Sequence, residues 1–233
     1  MRSFLLLFLL PLAGTVFASA TYAASFDCAR AAAPDERAVC ADPLLSKLDS
    51  MLGAANVQAR ASAGKSEELT TVARGILADR RACGTARGCL VGVYVNGLQS
   101  YREFGSRVAV PGWVTALDIA GGRAPDSGLL PAKPGQCVST QVASVTPRLE
   151  GEPPGSFESG TAVNFTNGGH QVSYNREAAL IASRPGDRVV MCLTKIPRDC
   201  PPGDDRGREY TVTNLRTRAS WSLSDSQHLC GGA

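Results

Sequence analysis

Histidine and aromatic side chains are scarce in this chain, and charge of either sign is never in excess. It has two histidines in 233 residues, 6% aromatics and a formal net charge of +3. The eight cysteines include no Cys-x-x-Cys pair, and His170 and His228 are too few to complete the usual zinc ligand sets, so a metal centre is not expected. There is no Gly-x-Ser-x-Gly, no His-Glu-x-x-His, no phosphate loop and no dinucleotide fingerprint. The motif-bearing hydrolases and nucleotide-dependent enzymes are thereby set aside, and no cofactor is expected. Residues 24–105 carry 10 basic and 9 acidic side chains, and residues 106–233 carry 13 and 12. Neither half is a footprint for nucleic acid or for a cationic partner. Beyond the first residues nothing approaches 18 consecutive apolar positions, so no membrane span is expected. Coiled-coil heptads and 20–50-residue repeats are missing as well.

The N-terminus has a secretory pattern. Arg2 precedes the apolar run Phe4 to Leu12, and small residues at Thr21 and Ala23 suit cleavage after Ala23, with Ala20 as the alternative. Ser25-Phe26-Asp27 ahead of Cys28 is unlike a lipoprotein processing site. The expected mature protein is soluble, bacterial, and periplasmic or secreted. Cys28, Cys40, Cys83, Cys89, Cys137, Cys192, Cys200 and Cys230 all lie past the cut. An even cysteine count in an exported chain predicts disulfides. Cross-links of about 2–4 kcal/mol each matter to units too small to bury much surface.

The first half has helical spacing. Pro34, Asp35 and Glu36 open a short turn, and Asp42 with Pro43 starts a second segment. Leu44, Leu45, Leu48, Met51, Leu52 and Ala55 then follow at helical intervals. Gly64 breaks the pattern, and Ser66 starts a further helix to Arg81. Residues 86–101 fit a strand as well as a helix, because of their three glycines and the Val-Gly-Val-Tyr-Val run. A helical hairpin turning near Ala61–Lys65 brings Cys83 and Cys89 back towards Cys28 and Cys40. These four are expected to pair among themselves, each bridge joining the first helical region to the last, with three connectivities open.

Residues 105–135 are rich in proline and glycine and predict a linker or a long irregular connection, in which Trp113 and Val114 are the residues suited to docking. From 136 the pattern is β. Asn167-Gly168-Gly169 is a hairpin signal, and about six short strands suggest a small barrel or sandwich. Cys137, Cys192, Cys200 and Cys230 are expected to pair within this half. The fold class is α+β: signal peptide 1–23, a disulfide-linked helical domain 24–104, linker 105–135, and a small β domain 136–233.

Phe26-Asp27-Cys28-Ala29, Glu36 with Val39-Cys40, Leu44-Leu45 with Leu48-Asp49, Arg80 with Cys83, and Cys89-Leu90 with Tyr94 form a spaced pattern over about 70 residues. This pattern resembles the N-terminal domain of the LprI-type lysozyme-inhibitor family. The resemblance implies an exported, non-enzymatic, disulfide-linked helical domain, inhibition of lysozyme in some members, and a helix for 86–101. The chain departs from the family pattern at Asn56-Val57, Arg74, Ile76-Leu77 and Gly97. The second half resembles a domain that follows this module in other proteobacterial exported proteins, marked by Cys200 to Gly207 and Asn214 to Thr217.

An inhibitor of a carboxylate-bearing cleft can place a basic side chain on a rigid loop. Arg80, Arg81 and Arg87, around Cys83 and Cys89, are the candidates, although helix-end arginines also complement the macrodipole. Asp205 and Arg206 are further binding candidates, in the polar run that holds Asp199, Asp204, Arg208 and Glu209 and continues to Asn214, Arg216 and Arg218. Its bland reading is a solvated loop with compensating charges; its sharper one is a carboxylate pair for sugar cleavage. A Cys–His nucleophile at His228 and Cys230 is excluded if Cys230 is oxidised, and His170 is expected as an exposed strand residue. The expected function is an exported, non-enzymatic binding protein of the cell envelope with a protein partner of the lysozyme type. The alternatives are an assembly module of an envelope complex and a hydrolase using carboxylates at 199–209.

Overall fold

The computed structural model describes residues 24–64, 66–197 and 200–232. The expected leader, 1–23, and Asp199 lie outside the described residues. A 3-10 turn at Cys28–Arg30 leads into α1 (Pro34–Ala41), α2 (Pro43–Ala63), α3 (Glu67–Cys83) and α4 (Arg87–Glu103). Asp42 caps α2 by accepting from the amides of Leu44 and Leu45, and Ser66 caps α3 through the amide of Leu69. Among the described residues no helix is long and apolar enough to cross a membrane.

Residues 86–101 fall within the helix α4. Their pattern is ambiguous because this helix is buried on nearly every side: Leu90, Val91, Val93, Tyr94, Val95 and Leu98 are all inside. A helix without a polar face shows no amphipathic period. Its glycines serve close approach. A methyl on Gly92 would meet the carbonyl oxygen of Thr194 at 3.4 Å, so at this point the helix backbone lies against the barrel.

The β half is β1 (Cys137–Pro147), β2 (Thr161–Phe165), β3 (His170–Ser173), the short helix α6 (Ala178–Ile181), β4 (Arg188–Lys195), β5 (Glu209–Asn214) and β6 (Ser220–Ser224). The strands close into an antiparallel barrel in the order β1-β2-β3-β6-β5-β4, so the open alternative, a sandwich, is not formed. The seam of the barrel lies between β3 and β6, which pair at Val172 and Ser224. Strand β4 is buried on both faces. Val189, Met191 and Leu193 fill the barrel, whereas Val190 and Cys192 belong to the apolar cluster of the helices.

Residues 105–135, expected as a linker, form a packed connection containing α5 (Ala116–Ile119). Val114, Ala116 and Ile119 are buried in the helical core, and the Ala116 amide donates to Thr213 Oγ1 of β5 at 2.8 Å. Trp113 stays 39% exposed, with Lys47 Nζ 4.3 Å from its ring centre. The glycines and prolines of this segment shape a fitted insert between helices and barrel.

The disulfides are Cys28–Cys40, Cys83–Cys89, Cys137–Cys192 and Cys200–Cys230. In the helical half neither bridge joins the first helical region to the last, which corrects that expectation. Cys28–Cys40 folds the 3-10 turn onto α1, and Cys83–Cys89 spans the turn between α3 and α4. The long-range tie is ionic instead, through Arg80 and Arg87.

Candidate functional site

Arg80 is an internal cation. Its Nε donates to Asp35 Oδ2 at 2.9 Å and its Nη1 to Asp49 Oδ1 at 3.2 Å. Tyr94 donates its hydroxyl to the same Asp49 oxygen at 2.9 Å, and the Ser25 amide and hydroxyl both donate to Asp49 Oδ2. Phe26 covers the guanidinium from 5.3 Å. Burial opposes the Arg80 charge, but Tyr94, Asp35 and Asp49 outweigh it and hold the pKa above its ordinary value. Burial, followed by the Asp49 charge, pushes the Tyr94 hydroxyl far above the usual phenol range. Arg80 is therefore spent on structure. Arg87 is committed similarly, to Asp42 at 2.7 Å and to the Asp118 carbonyl. Arg81 is exposed in the last turn of α3.

The charged run after Cys200 closes on itself. Arg206 grips Asp204 with two donors, at 2.9 and 2.8 Å, and reaches the Gly232 carbonyl at 3.2 Å. Asp205 pairs with Arg208 at 2.6 Å, and Glu209 with Lys195 at 3.3 Å. Arg206, first among the causes, holds Asp204 well below the usual carboxylate range. With the Cys200–Cys230 bridge, Arg206 pins this loop to the C-terminal tail. Asp204, Asp205 and Glu209 are each paired with a cation.

His170 is half-buried rather than an exposed strand residue. Its Nδ1 lies 2.9 Å from Asn164 Oδ1, and Asn164 Nδ2 donates to Ser144 Oγ at 3.0 Å, a polar row across β3, β2 and β1. The loop after β1 arches over it and encloses about 540 Å³. Burial lowers the His170 pKa below its ordinary value against the pull of Asp225.

A basic surface forms where separate turns meet. The turn 184–187 enters β4, and the turn 215–218 joins β5 to β6. Pairing of Val189 with Asn214 sets these turns side by side at one end of the barrel. Together they present Arg184, Arg188, Arg216 and Arg218, all exposed, with Asp187 as the acid of the two turns. Asp187 is consumed internally: Arg216 donates to it at 2.6 and 2.7 Å, and Asn214 Nδ2 at 2.9 Å. Asn214, fully buried, accepts from the amides of Arg216 and Thr217. The outer turn is thus clamped from beneath. Arg218 ends it with φ +60, a conformation that costs a residue with a side chain about 1–2 kcal/mol. Its side chain has no hydrogen bond or ion pair with a described residue. The sequence analysis noted Arg216 and Arg218 only as the tail of a charged run. Their convergence with Arg184 and Arg188 depends on strand pairing between segments about 30 positions apart, which no local pattern encodes.

The clamp carries a pH dependence. Arg216, helped by Asn214 and the Arg184 amide, holds the Asp187 carboxyl far below its ordinary value. A depressed folded-state pKa contributes stability that is complete above the unfolded value of about 3.9 and is lost as pH falls below it. Thermal melting should therefore decline from about pH 4 downwards, and Asp187→Asn should flatten that decline. An unchanged acid limb in the variant would assign the loss to other carboxylates.

No protein-family model, curated protein or solved structure matches the chain.

Proposed function

We propose that this chain is an exported, non-enzymatic binding protein of the bacterial cell envelope that inhibits a lysozyme or related peptidoglycan-cleaving enzyme. The observation that carries the reading is Arg218, an exposed guanidinium with no partner among the described residues, on a turn braced by Asn214, Asp187 and Arg216. Glycan-cleaving enzymes hold two carboxylates about 5–9.5 Å apart in an open cleft. A planar guanidinium matches a carboxylate with two parallel donors, and a pre-formed turn loses little entropy on docking. Arg184 and Arg188 surround the tip with charge of the same sign, which accelerates encounter with an acidic cleft. The helical half supports the reading through its likeness to the LprI-type pattern. The four disulfides suit an oxidising compartment such as the periplasm or the extracellular space.

The test is lysis of purified cell walls by several lysozymes, with and without the oxidised protein. Inhibition should appear at micromolar inhibitor and weaken at least tenfold in Arg218→Ala. The paired change Arg184→Ala with Arg188→Ala should act mainly on the association rate and its salt dependence. Absence of inhibition at micromolar excess against every lysozyme tried removes this function. Full inhibition by Arg218→Ala removes the assignment of the tip.

A further inference from the structure

The polar row across β1, β2 and β3 is a product of register. Ser144 pairs with Asn164, and Asn164 with His170, so the three side chains stand abreast on the outer face of the barrel. Gln171, the next residue along β3, points the other way and accepts from Trp221 inside. Neighbouring strands lie about 4.8 Å apart, which makes the row roughly 10 Å long. Residues 148–155 roof it and leave the recess of about 540 Å³, whose apolar walls are Val145, Pro147, Pro154 and Ala162. The roof is fastened, because Glu152 accepts from the hydroxyls of Ser156 and Ser159 and from the Glu158 amide. A recess held open in this way needs little ordering when a ligand enters.

The row has a direction. Asn164 Nδ2 donates to Ser144 Oγ, which leaves Asn164 Oδ1 to accept from His170 Nδ1. In the neutral ring this puts the lone pair on Nε2, and the lowered pKa favours that form. Nε2 has no hydrogen-bond partner among the described residues and is open to solvent. Donors stand beside this acceptor: the second Nδ2 hydrogen of Asn164 and the Thr146 hydroxyl, both at exposed residues that line the recess with His170. The rim is biased against anions. Glu150 is exposed and has no partner among the described residues, whereas Arg148 is engaged by the Ser159 carbonyl and Gln227 Oε1. An ammonium ion satisfies the acceptors alone; a hydroxyl satisfies acceptors and donors together.

We propose that this recess binds a neutral saccharide, with one ring hydroxyl donating to His170 Nε2, its neighbours meeting Asn164 and Thr146, and a C–H face of the ring against the apolar walls. A sugar ring has polar edges and apolar faces, as the recess does. The recess shares no residue with the arginine turns, so this inference goes beyond the inhibitor reading, and the two succeed or fail independently.

The test is titration calorimetry of the oxidised mature protein at about pH 8, where imidazole is unprotonated. The probes are cellobiose, maltose, lactose and N,N′-diacetylchitobiose. At least one should show saturable one-to-one binding in the submillimolar range, and the His170 Nε2 resonance should move as that sugar saturates. His170→Phe, which keeps a ring and removes Nε2, should bind it about tenfold more weakly. Thr146→Trp, at an exposed position, should fill the recess and abolish binding while circular dichroism and the melting temperature stay unchanged. Putrescine, a diamine without hydroxyls, should not compete. Lack of saturable binding by all four sugars, or undiminished binding by Thr146→Trp, overturns the site. Full affinity in His170→Phe, or a stationary Nε2 resonance, overturns the role of His170. Tighter binding of putrescine than of any sugar overturns the ligand class.

Discussion

Replacing Arg80 with alanine should destabilise the folded protein by about 3–5 kcal/mol, the cost of stranding buried charges. Asp35 and Asp49 are each 2% exposed at the side chain, and Arg80 is the cation that bonds both. Its removal leaves two carboxylates out of water, with Tyr94 and Ser25 as the remaining donors to Asp49 and no replacement for the charge. Lysine should recover only part of the loss, since one ammonium cannot reproduce a fork that reaches two carboxylates in different directions. Urea denaturation without reductant is the measurement. The midpoint should fall and the slope remain, because the surface exposed on unfolding is unchanged. Arg81→Ala, one residue along and solvent-exposed, should stay within about 0.5 kcal/mol of the parent. A loss below about 1 kcal/mol for Arg80→Ala would mean that the cluster relaxes or admits water, and that the ionic tie does not hold the helices together.

The same cluster marks how far the sequence is legible. Helix starts are local chemistry, so Asp42-Pro43 and Ser66 announce α2 and α3 from a few residues. Strands announce themselves by alternation and by the Asn167-Gly168-Gly169 turn. The partners of Arg80 lie 31 and 45 positions away, and nothing in its neighbourhood separates an internal cation from an exposed helix-end arginine. Residues 86–101 resist reading for a related reason. The period of a helix shows only when one face meets water, and α4 meets helices on one side and the barrel on the other. Proline and glycine between 105 and 135 report irregular backbone correctly but say nothing about burial. Flexible composition and a fitted insert look alike until the surfaces on both sides are known. The basic barrel end was hidden by the same rule, because its arginines converge only through β4–β5 pairing.

Among the places where helices meet barrel is the backbone crossing at Gly135, and there a single methyl group should cost about 3–4 kcal/mol. Gly135 has φ +79, and its amide donates to the Leu193 carbonyl at 2.8 Å, which ties the connection to β4. A methyl at this position would stand 2.2 Å from the Cys89 nitrogen and 2.5 Å from the Gly88 carbonyl carbon. Both obstacles are backbone of the first turn of α4, so no rotamer change relieves the collision. Gly135→Ala must therefore lift α4 from the barrel or break the Leu193 bond. Gly168→Ala separates this steric cost from the cost of φ alone, because Gly168 has φ +84 and open space where its methyl would go. That control should lose only about 1 kcal/mol. Hydrogen exchange should locate the damage: in Gly135→Ala the amides at the start of α4 and the end of β4 should lose protection, while β2 and β3 keep theirs. If the two glycine variants prove equally stable, the barrel and the helices are not held in register by this crossing, and the packing of Val190 and Cys192 with the Ala116–Thr213 bond must carry the interface.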